Sequence, residues 1–566
     1  MTTSEQREGV GSWADPERLA RYRERVFHER AVLRDACADA AGAQRRVLEA
    51  LLSFNAGTAF GREHGFGRIR TLEEFRAAVP IRDYGALAPW IERAAAGEAN
   101  VLSADRPEVF FTSSGTTGAH KKIPVTPGFM RTTFFPFYFA AWAPLIEHFP
   151  DVLASPDAVL NLKHDPIAAP PVTASGHPHV GASQADLGTT FGEPLSAEPG
   201  TGAPWAVLPV PVDPGDHLEK MYLRLRMAVE SDVRCVIGIN PAMVAALPYQ
   251  LNQWWPRIVQ DVRDGTLAGH PHTAPNPRRA VELAELARRH GTVRPAHVWP
   301  RMRALFCWTT GLASLYLPRL REEFGAGVTL LPAPVAASEG PLAVPLDRHP
   351  TAGSLVATAA LYEFVDADAE LTAHSATLRP DELEPGRDYH VVFSHIGGLY
   401  RYAGGDVARV LDHRDGVPRL QYAGRGSLSD AVGERLRDAQ TVRALTAALA
   451  ASGLELRNVA CRVRPDATGT PAYEFALASP TPWSDDEDRR FLADLDRALG
   501  EESPGYLHAR VERRLGSPAL RHLHPDAFLR DWQTTVATGV RPTQVKDRLF
   551  RQDARQWQQL TEGADA

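Results

Sequence analysis

Residues 108–124 read EVFFTSSGTTGAHKKIP: an apolar stretch, then the small residues Ser113 to Gly118, then Lys121 and Lys122 before an Ile-Pro pair. The order is strand, glycine- and hydroxyl-rich loop, cation. Such a loop can wrap phosphate oxygens, because glycines let backbone N–H groups come close, hydroxyls donate and an ammonium neutralises charge. A Gly/Ser/Thr loop on its own is usually a plain turn; here its place between a strand and two lysines favours phosphate. The Walker spacing is missing, since the residue five after Gly115 is His120, so this is no P-loop ATPase. Lysine is otherwise scarce. Lys121, Lys122, Lys163, Lys220 and Lys546 are the only lysines among 62 basic residues. Arginine cannot imitate a compact ammonium where chemistry needs one, so each lysine is a candidate site residue.

The chain around this loop has 566 residues, 44% of them hydrophobic, and a net charge of −7. That length predicts at least two domains and room for a closed site. The mildly acidic balance, without long basic runs, argues against nucleic acid or an anionic membrane as partner. Cys37, Cys235, Cys307 and Cys461 are far apart, which fits a reducing cytoplasm and offers no metal framework. The opening MTTSEQREG does not read as a signal peptide. The uncharged run from Phe134 to Ile146 is too short to span a bilayer, and it carries Pro136 and Pro144. It is expected to be buried, with the aromatics of FFPFYFAAW mostly in the core; were they to line a pocket, its ligand would be apolar.

Periodicity gives packed helices over Glu17 to Phe54 and loop-laced sheet between Asp151 and Asp216, including AVLNL and WAVLPVPV as strands. Helices around Met243–Trp255 and Arg278–Arg289 precede the strands VTLLP, LYEFV, YHVVFS and DVARVLD. This predicts an α/β fold. From about Arg425 the pattern becomes helix (Thr441 to Ala451), strand (VACRVR), strand (YEFALAS), helix (Asp485 to Leu499), a compact α+β unit. The expected division is 1–424, a large N-terminal domain of sheets and packed helices, and 425–566, a small mobile C-terminal domain.

TSSGTTGAHKKIP resembles the phosphate loop of adenylate-forming enzymes and, more narrowly, of the GH3 acyl-acid amido synthetases, in a bacterial-type form. HVGASQADLG, INPAMVAALPYQL, WPRMRALFCW, PVAASEG, GGLYRYAGGDV, GRGSLSDAVGERL and TQVKDRLF follow in the order such proteins have them, from about residue 55 to 550. The resemblance implies roles. Ser113, Ser114, Gly115, Thr116, Thr117 and Gly118 would hold the phosphates of ATP. Lys121 stands the familiar distance before Ile-Pro, although the loop is one residue short and leaves Lys122 as the alternative. Ser338 would contact the nucleotide and Glu339 would hold Mg²⁺, which prefers hard oxygen ligands. Asp406 would accept from both ribose hydroxyls, supported by Tyr400 and Arg401. Arg425 resembles the hinge arginine, and Lys546 the C-terminal lysine that reaches the α-phosphate.

The sequence also departs from the family pattern. Val335-Ala336 replaces Tyr-Gly before the Ser-Glu motif, removing a ring that would stack on adenine. Thr309-Thr310-Gly311 replaces Gly-Gly-Ser, and Ala403 stands where a second arginine is usual. Other chemistries find little support: there is no G-x-S-x-G or H-E-x-x-H, and Gly65 to Arg70 lacks the third glycine of a dinucleotide fingerprint. The two His-Pro-His triplets (177–179 and 270–272) read as surface turns. The resemblance thus implies an ATP- and Mg²⁺-dependent ligase, monomeric and cytoplasmic, that activates a carboxylic acid as its adenylate and passes the acyl group to an amine or amino acid. Two alternatives stay open at this point: thioester formation with coenzyme A, and a catalytically degenerate protein that only binds nucleotide or acid.

Overall fold

A computed structural model describes residues 16–114, 120–153, 155–165, 167, 170–192, 198–426 and 428–562. The chain begins with two helices, Pro16–Ala38 and Ala40–Asn55. The second starts at Asp39, whose side chain accepts the Gly42 N–H. Their apolar stripes (Tyr22, Val26 and Leu33, then Leu48, Leu51 and Leu52) enter the largest core.

Three larger sheets carry this N-terminal part, beside a two-stranded ribbon of Thr266–Leu267 and His270–Pro271. In the first, Val109–Ser114 pairs antiparallel with His120–Val125, placing Ser113 opposite Lys121, and parallel with His179–Val180. In the second, Val159–Asn161, Cys235–Ile237, Ala304–Cys307 and Thr329–Pro332 run parallel. Their near-continuous apolar text follows from cover on both faces, with helices such as His217–Ala228 and Pro241–Asp264 in the connections. The third is a seven-stranded antiparallel sheet that starts at Val335–Ala337, passes through Val417–Arg425 and Leu399–Arg414, and ends at Leu361–Asp366.

After it comes the smaller C-terminal part. Asn458–Pro465, Pro471–Ala478 and Ala519–Leu523 form a sheet with a core of its own, which includes Leu445, Phe475, Phe491 and Leu495. Helices Asp438–Ser452 and Asp485–Glu502 pack together beside it. The fold is therefore α/β, with a large N-terminal and a smaller C-terminal portion.

One local expectation needs correction. WAVLPVPV forms turns rather than a strand, because Pro209 and Pro211 cannot donate to a ladder, although Trp205 itself is buried. The aromatic run is mostly core, as expected: Phe135, Phe137, Phe139 and Trp142 are buried. Phe134, Phe137, Tyr138 and Trp142 also line a cavity. Among the described residues no helix is long and apolar enough to cross a membrane.

Candidate active site

A cavity of about 1540 Å³ lies where the sheets meet the C-terminal part, and Thr112, Ser338, Glu339, Asp406, Arg425 and Lys546 all line it. They are delivered by strands and by the connections beside them. Glu339 sits in the tight connection between Val335–Ala337 and Gly340–Val344, and Ser338 Oγ donates to the Thr112 carbonyl at 3.5 Å. Asp406 and Arg425 face each other on paired strands, with an irregular register beside them that turns both toward the cavity. Arg425 Nε stands 3.8 Å from Asp406 Oδ1, and the Tyr422 hydroxyl donates to the same oxygen at 3.3 Å.

Lys546 arrives from the far end of the sequence. Its ammonium lies 4.9 Å from the Trp308 ring centroid. The segment carrying it is moored on both sides: Asn240 Nδ2 donates to the Pro542 and Val545 carbonyls at 3.3 and 2.6 Å. Asp547 accepts from the Tyr316 hydroxyl at 2.9 Å and from Asn458 Nδ2 at 3.2 Å. Burial pushes the Asp406 carboxyl above its usual range against the pull of Arg425, and burial holds the Lys546 ammonium below its usual range while Asp406 pulls it back up.

A second group surrounds Glu339. Lys121 Nζ is 3.8 Å from Glu339 Oε1 and 3.4 Å from the Tyr402 hydroxyl, which itself lies 3.4 Å from Glu339 Oε1. Lys122 points elsewhere and pairs with Glu92 at 2.7 Å. Geometry thus brings Lys121, not Lys122, to the Ser-Glu motif. Behind it His395 is buried; its Nδ1 accepts from the Gly397 N–H at 3.1 Å, so Nε2 carries the proton and donates to the Glu339 carbonyl at 2.9 Å. Burial lowers this imidazole's pKa to about 4, keeping it neutral.

Of the other expected residues, Ser113 and Ser114 end the strand that pairs with Lys121, while Gly115, Thr116, Thr117 and Gly118 lie outside the described residues. Tyr400 and Arg401 do not reach the cavity. The Tyr400 hydroxyl donates to the Leu102 carbonyl and its ring stacks on Phe60 at 4.5 Å. Arg401 is buried against Glu363, Nε to Oε2 at 2.9 Å. These two brace the strand from behind. The cause is a left-handed residue, Arg401 with φ +43°, which breaks the alternation so that Tyr400 enters the core and Tyr402 enters the site. Among the departures, Thr310, Gly311, Val335 and Ala336 line the cavity; Thr309 and Ala403 do not.

Sequence reasoning missed Tyr402, Tyr422, His395 and Trp308. Tyr402 was inside a quoted motif and could have been found there. His395 carries no local signal, because its partner is a backbone carbonyl 56 positions away.

Donor chemistry around Glu339 suits a small hard cation shared with phosphates. The buried carboxylate of Glu339 faces the cavity, and among the described residues no group of three or more His, Cys, Asp or Glu could cage a metal by itself.

The fold is that of the acyl acid amido synthetases. A solved GH3.15 acyl acid amido synthetase in complex with 2,4-DB superimposes with a TM-score of 0.76 at 20% identity, over 94% of this chain and 95% of that one. The GH3 family N-terminal, central and C-terminal domains match residues 29–329, 353–425 and 439–554, and the chain belongs to the GH3 family. A probable indole-3-acetic acid-amido synthetase, GH3.12 of Oryza sativa subsp. japonica, is 27% identical over 90% of both chains. A jasmonoyl--L-amino acid synthetase, JAR6 of Nicotiana attenuata, is 25% identical over 72% of both. These relatives are plant enzymes and give no support to the bacterial-type form expected above.

Proposed function

We propose that this chain is an ATP-dependent ligase that activates a carboxylic acid as an acyl adenylate and transfers the acyl group to an amine or amino acid, releasing AMP. The reading is carried by one observation: Lys546, the Asp406–Arg425 pair and Glu339 line one cavity, Lys121 pairs with that Glu339, and part of the remaining wall is aromatic. Membership of the GH3 family and relatives named as acid-amido synthetases support it.

In the first step a carboxylate oxygen attacks the α-phosphorus and pyrophosphate leaves. The work of the protein is to position the two and to stabilise charge at phosphorus. Lys546 places its ammonium beside the attacked group. Asp406 accepts from the ribose hydroxyls, with Arg425 and Tyr422 fixing its orientation, and Lys121 moves from Glu339 to the phosphates when ATP enters. Ser113, Ser114, Gly115, Thr116, Thr117, Gly118 and Ser338 contribute hydroxyl and backbone donors. Glu339 would hold Mg²⁺, which supplies neutralisation of the departing pyrophosphate. In the second step the amine attacks the acyl carbon, now attached to a good leaving group, and AMP departs. Residues 1–424 form the adenylation domain and 425–566 a lid that brings Lys546 in; the enzyme acts as a monomer in the cytoplasm.

The test is a hydroxylamine-trapping screen over carboxylic acids with ATP and Mg²⁺, read with pyrophosphate release, since hydroxylamine intercepts acyl adenylates whatever the natural amine is. Acid-dependent hydroxamate and pyrophosphate are expected. Nucleotide binding without either product would make the chain a binder, and faster turnover with coenzyme A than with any amine would make it a thioester ligase.

A further inference from the structure

One ion pair in the cavity has no part in the adenylation chemistry above. Lys163 Nζ lies 2.5 Å from Glu198 Oε1, with the side chains 17% and 9% exposed, and both residues line the cavity that holds Lys546. The ammonium also stands 5.2 Å from the Tyr138 ring centroid and 5.3 Å from that of Trp142.

The pair is held from behind. Asn161 ends its strand, accepts the Lys163 N–H at 3.2 Å and donates Nδ2 to the Pro199 carbonyl at 3.1 Å. Thr201 Oγ1 donates to the Glu198 carbonyl at 2.8 Å. Gly200 has φ +88°, and a Cβ there would lie 2.6 Å from the Asn161 Cβ, so the close approach that sets Glu198 requires glycine.

The position of the pair follows from ring contacts. Lys546 faces Trp308; two residues earlier Phe306 stacks on Trp142 at 5.0 Å, and Trp142 faces Lys163. The pair thus lies against Trp142 in the aromatic wall, whereas Lys546 lies against Trp308.

A ligand end that meets this pair must suit both members. Ammonium and carboxylate balance each other, so a further full charge would be desolvated against one like-charged neighbour without net compensation. A purely apolar end would strip water from the remaining ammonium donors and carboxylate lone pairs and return nothing. A hydroxyl accepts from Lys163 and donates to Glu198. We propose that the acid activated by this chain is an aromatic carboxylic acid with a hydroxyl at the end remote from its carboxylate, read by the Lys163–Glu198 pair. This rests on the reading of the cavity as an acid-activating site.

The test uses benzoic, phenylacetic, 3-phenylpropanoic and cinnamic acids, each bare and with a para hydroxyl, methoxy or carboxyl group. Hydroxamate formation with pyrophosphate release is measured alongside acid-induced thermal shift without ATP. At the best-fitting chain length the hydroxyl form should exceed the bare and methoxy forms at least tenfold in kcat/KM. The preference should fall below threefold in the double variant Lys163→Met/Glu198→Gln, which removes both charges together and leaves neither stranded. Should that variant not fold, Lys163→Arg, which keeps the charge but changes the donor geometry, should lower discrimination at least threefold.

A preference for the bare, methoxy or carboxyl acid overturns the proposal, as does a hydroxyl preference unchanged in the variants. Pyrophosphate release without hydroxyl discrimination overturns it and leaves the ligase reading standing. Hydroxyl-dependent thermal shift that the variants lose, with no pyrophosphate from any acid, supports the subsite and overturns the ligase.

Discussion

The two ends of the cavity hold their groups by different means. At the polar end, Glu339 sits in a tight connection, Asp406 in the middle of the strand Leu399–Arg414 and Arg425 at the end of the strand paired with it, so the backbone places them. At the aromatic end, Phe134, Tyr138, Trp142 and Phe306 come from helical turns and a separate sheet and meet by packing ring on ring; Phe134 stacks on Tyr138 at 5.6 Å and Trp142 on Phe306 at 5.0 Å. A backbone-placed end suits chemistry that is the same for every acid. A wall of interlocking side chains can change with few substitutions and so suits the choice of acid.

Substitutions can break this contrast. The largest expected effect is Lys546→Ala, which should slow acyl-adenylate formation roughly 10²-fold or more, about 3 kcal/mol of transition-state stabilisation. Supplied with preformed acyl adenylate, the variant should still make amide at a near-normal rate. Normal adenylation, or a defect confined to the amide step, would move the cationic role to Lys121. Next is Asp406→Asn, in which an amide keeps only part of what the carboxylate accepts. Loss of charge-assisted bonds of about 1.5–3 kcal/mol should weaken ATP binding roughly ten- to a hundredfold in calorimetry, with the fold intact by circular dichroism. Unchanged ATP affinity would refute the ribose role.

The smallest effect separates the two adjacent lysines. Lys122→Ala removes an ion pair with Glu92, whose side chain is 54% exposed; such pairs contribute about 0–1 kcal/mol, so both activity and melting temperature should barely move. Lys121→Ala should raise the KM for ATP distinctly. Equal losses in the two variants would mean that the strand pairing does not decide which lysine serves the site.

What could be read in advance follows the same division. The place of the Ser-Glu motif, Asp406, Arg425 and Lys546 at one cavity was legible because each sits in a short contiguous motif that survives as text. The C-terminal helix–strand–strand–helix order was legible because its periodicity is clean. Tyr400 and Tyr402 were not separable, since regular alternation puts residues two apart on one face and only the positive φ of Arg401 sends them to opposite sides. The choice between Lys121 and Lys122 also needed three dimensions: the register opposite Ser113, and Glu92 from a distant helix waiting for the other lysine. The aromatic run looked like core because most of it is core, including two rings that also line the cavity. Local sequence carries no mark of which rings face a void that Phe306 and Trp308 complete from another sheet.

Asn240 joins two parts of the chain through the two ends of one side chain. Its Oδ1 caps the helix Pro241–Asp264 by accepting the Ala242 N–H at 3.1 Å, while its Nδ2 holds the Pro542 and Val545 carbonyls just before Lys546. Any motion that withdraws Lys546 exchanges those two amide bonds for bonds to water, at about 1 kcal/mol each, so this latch alone favours the docked lysine about thirtyfold. The helix start would survive such a release, because the cap uses the other end of the same side chain. One asparagine thereby biases the C-terminal segment toward its docked position and leaves the scaffold against which it docks unchanged.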